Sequence, residues 1–256
     1  TLGTIGTGTW QGTAIATAYI ADDAVTAAKI ANNEDFNING VTVGKGANSV
    51  TNNTAVGKNA LDASVSGTYN VAVGINTLTD LTSGASNTAV GGEALDSLTT
   101  GNSNSAFGSE ALDDCTTASD NTGIGVQALQ KNTTGAENTA VGRGALKLNT
   151  TASGNTAVGK DSLYTNTTGI RNIGIGNDAL YYNTTGDYNV ALGYSALQDN
   201  TTADNNTAVG YLALKANTTG AQNVAIGSQA LTTSSTAEKA IAIGDQAMEG
   251  TTTGSW

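Results

Sequence analysis

The chain has no histidine and no proline, a single cysteine, and only 12% charged residues. Without histidine, the commonest metal ligand and general base is missing. With Cys115 alone, no disulfide can form within the chain. Ten Lys and Arg against twenty-one Asp and Glu leave a net charge of −11. There is no basic patch to displace counterions from nucleic acid, and an acidic surface does not suit an anionic membrane. No apolar run is long enough to span a bilayer as a helix, and neither an initial Met nor a signal peptide is present. The expectation is a part of a longer polypeptide, with no cofactor, metal or catalytic residue assigned.

What the chain has is repetition, the feature that decides a fold first. A glycine recurs every seventeen residues at Gly57, Gly74, Gly91, Gly108, Gly125, Gly142, Gly159, Gly176, Gly193, Gly210, Gly227 and Gly244. Numbering each unit from that glycine, position −4 is Asn in eleven copies of twelve, Ala240 being the exception. Position −2 is always Ala or Gly, position −1 always large and apolar, and position +4 Leu until Met248. The alternation before the glycine is the strand period, with −3 and −1 on one face and −2 on the other. Glycine suits a turn with positive φ, and stacked Asn amides can form ladders between coils. Position +10, Gly in seven copies and Ala in four, marks a second corner.

Seventeen residues accommodate two short strands and two turns, so the array reads as an all-β parallel solenoid of twelve coils. One Val and one Leu per coil make a thin core. The small −2 row, Ala55 to Ala242, is therefore expected to face outward and let neighbouring copies of the chain approach closely; the alternative is that Ala simply fills a narrow roll interior.

The motif N-T-A-V-G-x-x-A-L-x-x-N-T-T-G resembles the head repeats of YadA-type trimeric autotransporter adhesins, and the repeats of many bacteriophage tail fibres. The resemblance implies a left-handed parallel β-roll, a homotrimer, and a role in attachment. The period is a few residues longer than in the adhesins. Upstream, G-T-W-Q-G-T (8–13) and D-D-A-V-T-A-A-K-I (22–30) look like tail-fibre shaft pieces. The implied setting is a virion, with other tail-fibre or baseplate proteins and a host-surface glycan or protein as partners. Alternatives are the head of a bacterial surface adhesin, or a monomeric ice-binding solenoid, since Thr-x-Val rows occur. That row is broken at Val71, Ile173, Val190, Val224 and Ile241.

The expected organisation is a shaft or linker segment at 1–33, an opening hairpin and cap at 34–52, the roll at 53–250 and a closing segment at 251–256. Asp22 or Asp23 can N-cap a short helix through Ile30. Phe36, Ile38, Val41 and Val43 alternate around Asn39-Gly40, a strong hairpin signal. The closing segment is expected either to lead into a receptor-binding tip or to cap the last coil with Trp256.

For binding, Tyr164 and Tyr181 share one repeat position and Tyr194 and Tyr211 another, so each pair lies one coil apart. These four are the candidate glycan or receptor contacts; stacking that stiffens the surface is the simpler role. The carboxylates Asp178, Asp187, Asp199 and Asp204 read as a solvated rim, and the Gly123-Ile-Gly125 and Gly174-Ile-Gly176 runs as repeat corners. The Asn-Thr-Thr triplets are assigned to a turn and not to glycosylation.

Overall fold

The computed structural model describes residues 35–38 and 40–250. The shaft segment, its helix and the closing segment with Trp256 lie outside the described residues.

The described chain is an all-β parallel solenoid built on one fourteen-stranded sheet. Strand β1 (Phe36–Ile38) pairs antiparallel with β2 (Val41–Gly44), in a register that sets Ile38 opposite Val41. Strand β2 pairs antiparallel with β3 (Thr54–Gly57), matching Val43 to Val56. It thereby covers the first edge of the array, where bare backbone groups invite pairing with other chains. Three-residue strands follow at seventeen-residue intervals, from β4 (Val71–Val73) to β14 (Ile241–Ile243), each parallel to the one before. Twelve parallel strands thus stack through eleven full turns.

Each coil has one strand, not two. The side opposite the sheet is a backbone ladder of another kind. Positions +2 and +4 both have positive φ, as at Asp161 (54°) and Leu163 (51°). Their N–H groups point along the axis in opposite senses: Asp161 N donates to Arg143 O in the coil before (2.9 Å), and Leu163 N to Ala179 O in the coil after (2.9 Å). This conformation is unusual for leucine. It holds because the coils above and below satisfy the backbone groups and the leucine side chain is fully buried.

The small −2 row does not face outward. Ala157 and its equivalents are fully buried inside the single roll, together with the Ala and Leu of +3 and +4. The expectation of a close-approach face on the outside is therefore corrected. A seventeen-residue loop closed on itself is so narrow that only Ala or Gly fits opposite the buried leucine. The −1 residues, expected in the core, project outward in its place. Leu192 is 45% and Ile243 69% exposed.

Two asparagine ladders complete the interior. At −4, each backbone N–H from Asn70 to Asn223 donates to the Oδ1 of the preceding asparagine. The side-chain amide joins it on the same oxygen at every step except Asn172 and Asn206, as with Asn138 on Asn121 (3.2 and 3.0 Å). At +7, Asn149 Nδ2 donates to Asn132 Oδ1 (2.8 Å), and the ladder runs on to Asn217. The two meet at the second corner, where Gly135 O accepts from Asn121 Nδ2 (2.9 Å) and Asn132 Nδ2 (2.8 Å). Buried polar groups are tolerable when paired like this. Beside them, the +8 threonines form a third ladder, each hydroxyl donating to the +8 carbonyl of the next coil, as from Thr133 to Thr150 (3.0 Å).

The repeating glycine is required by geometry. At Gly125 φ is +132°, and a Cβ there would stand 2.6 Å from both C and O of Gly142 in the next coil.

Candidate functional site

The most extensive surface feature is the outer face of the sheet. Alternation in a strand sends −3 and −1 outward once −2 is buried. Among the described residues, seventeen large hydrophobic side chains are exposed. Eight of them project from the parallel strands, including Phe107, Ile124, Ile175, Leu192 and Ile226. Val41 and Val43 extend that face onto β2, since Val43 stands opposite the outward-facing Val56. Ile75, Val126, Tyr194 and Tyr211 border it, one residue past the glycine corner. Apolar side chains are thus concentrated on one side of the solenoid. Thr and Ser hydroxyls at −3, as at Thr139 and Thr156, are interspersed with them.

The tyrosine pairs stack as their spacing suggests. Tyr164 and Tyr181 are parallel to within 2°, with centroids 5.1 Å apart. Tyr194 and Tyr211 lie 5.7 Å apart at 23°. In the first pair the ring faces are turned to one another. Lys147 Nζ lies 5.8 Å from the Tyr164 centroid, and Tyr182 meets Tyr181 edge-on. The Tyr181 hydroxyl titrates above its ordinary range, chiefly through burial and then through Tyr164. A sugar that needs an aromatic face finds it occupied here; edges and hydroxyls remain. Tyr194 and Tyr211 are each about half exposed, on the border of the apolar face. Tyr188 lies elsewhere on the coil, where Arg171 donates to its hydroxyl (2.8 Å).

Of the four carboxylates Asp178, Asp187, Asp199 and Asp204, two hold backbone. Asp187 Oδ1 accepts from Ile170 N, and Asp204 Oδ1 from Asp187 N, both at 2.7 Å. Asp199 stands 3.9 Å from Lys215. A second acidic group went unremarked in the sequence: Glu93, Asp96, Glu110, Asp113 and Asp114 fall on two successive coils. Burial first, then Asp114, Asp96, Glu93 and Glu110, push the Asp113 carboxyl up to about 6. No group of His, Cys, Asp and Glu among the described residues has the arrangement of a metal site.

The asparagines of the Asn-Thr-Thr triplets are buried and paired, so none offers a side chain for glycosylation. Cys115 replaces Asn in the +7 row. It is fully buried, and burial pushes its thiol up to about 12.

Fold and surface together define a single-sheet parallel β-solenoid with one apolar side. Searches against protein-family models, curated proteins and solved structures find no match to this chain.

Proposed function

We propose that this chain is a length of phage tail fibre. It is a non-enzymatic rod in which three copies of a left-handed β-roll lie side by side, following an N-terminal shaft. The rod spaces and presents host-receptor binding during adsorption. The observation that carries the reading is the apolar outer face. Its twelve strands run on the order of 53 Å by 10 Å, at the upper end of what soluble monomers leave bare. Packing copies through this face would bury the exposed Ile, Leu and Phe of −1, and would add to the thin core of each roll. Stiffness comes from ladders that tie every coil to the next through backbone, asparagine and threonine.

The same architecture serves the head of a bacterial surface adhesin. The outward −3 hydroxyls, repeated in register along the parallel strands, keep a monomeric ice-binding solenoid as a second reading. Native mass by light scattering separates these. Three times 25.4 kDa supports the trimeric rod. A mass of 25.4 kDa with thermal hysteresis in solution overturns it in favour of ice.

A further inference from the structure

The second threonine of the Asn-Thr-Thr triplet joins the inter-coil ladder through its backbone N–H, as from Thr134 to Thr150 O (3.3 Å). Its hydroxyl has no task within the roll, whereas the side chains of the other two residues do. The asparagine belongs to the +7 ladder, and the first threonine to the hydroxyl ladder of +8. Position +9 holds Ser or Thr in all eleven copies, from Ser66 and Ser83 through Thr100 to Thr236, and every one is exposed. Ser66 Oγ donates to Thr82 O (3.0 Å). From Ser83 to Thr219 these hydroxyls have no hydrogen-bond partner within the described chain.

The copies of the repeat act as an internal alignment. Other exposed positions vary freely between them: +6 includes Asp80, Lys131 and Tyr182, and +12 includes Tyr69, Glu137 and Lys239. Position +9 does not vary in this way. Packing does not demand a hydroxyl there, because valine has the same branched shape and β preference. Exposure to water accounts for a polar side chain at +9, but not for its restriction to Ser and Thr while +6 and +12 vary.

We propose that this row is a docking line for a neutral, extended polysaccharide lying along the rod. Each hydroxyl can both donate and accept without carrying charge, as a sugar hydroxyl does. The row rises by about 4.8 Å per coil, and an extended β-linked hexopyranose chain repeats at a similar interval. A net charge of −11 disfavours acidic polymers. One such contact is weak, so affinity comes from many in series and requires a long chain. This line is separate from the apolar face and does not depend on the number of copies in the rod.

Native affinity electrophoresis in gels containing soluble mixed-linkage β-glucan tests the proposal. The wild type should be retarded by the polymer, while cellotriose in excess should not relieve the retardation. The variant T134V/T151V/T168V/T185V should bind at least tenfold more weakly. Its mobility in a plain gel should not change, because no charge is altered. The corresponding fourfold Thr→Ser variant keeps the hydroxyls and should bind like the wild type. The proposal is overturned if the wild type runs unretarded, if the valine variant is retarded equally, or if the serine variant loses binding. Thermal hysteresis lost in the valine variant, with no retardation by glucan, would reassign the row to ordered water.

Discussion

Asn138 places both its backbone N–H and its side-chain amide on one oxygen, Asn121 Oδ1, at 3.0 and 3.2 Å. Its own Oδ1 receives the same pair of donors from Asn155. Each asparagine is thus acceptor for the coil after it and donor to the coil before it. Removing one breaks bonds on both sides. Asn138→Ala leaves the Asn155 N–H without its acceptor inside the roll and should cost about 1–3 kcal/mol. Urea unfolding, compared with Asn138→Asp and wild type, measures it.

The +7 row contains two solutions to the same position. Leu81 and Leu98 fill it with hydrocarbon, whereas Asn132 to Asn217 fill it with a paired amide ladder. A lone Asn166→Leu should destabilise, because Asn183 Nδ2 loses its acceptor and Asn149 Oδ1 its donor. Changing the whole block to Leu removes donors and acceptors together. That multiple variant should lie closer to wild type in urea midpoint than the single one, since exchanging both partners for apolar groups is nearly neutral.

Ala157→Phe should prevent cooperative folding, since the methyl is fully enclosed and the site cannot expand without opening the coil. Leu192→Lys, on the outer face, should change the unfolding free energy of the single roll by no more than about 0.5 kcal/mol. If the apolar face is where copies meet, the same change should reduce the native mass to 25.4 kDa. An unaltered trimer from Leu192→Lys would show that the copies meet elsewhere.

Raising the pH should weaken the region around Asp113. The folded carboxyl titrates at about 6 against an ordinary 3.8, so between these values the folded state holds a proton that the unfolded state has released. Stability is therefore highest below 3.8 with respect to this group, falls as pH rises toward 6, and stays reduced above it. Asp113→Asn should flatten that slope in urea midpoints taken at pH 4 and pH 7.

Cys115 should resist thiol reagents in the native protein. Burial keeps it protonated at neutral pH, with its thiol raised to about 12, and the roll shields it from contact. Labelling should begin only with global unfolding, which a reagent-rate measurement across a urea series will show.

The sequence by itself determined the period, the strand before each glycine, the corner at that glycine and the amide ladder. Each follows from a local rule: alternation, positive φ, or the stacking of like amides in register. Tertiary closure alone decided which strand face is interior. Alternation at −3, −2 and −1 is symmetrical between inside and outside, and greasy −1 residues suggest the wrong side. The choice is made by the width of a loop of seventeen residues, which has room for Ala157 and Leu163 but not for a row of Val and Ile as well. The left-handed backbone at Leu163 was equally illegible, because leucine resists it and accepts it only where neighbouring coils take up the N–H and carbonyl groups. The tyrosine stacks were legible from spacing. Which of their surfaces remain open was not, since that depends on ring orientation and on Lys147 and Tyr182 alongside.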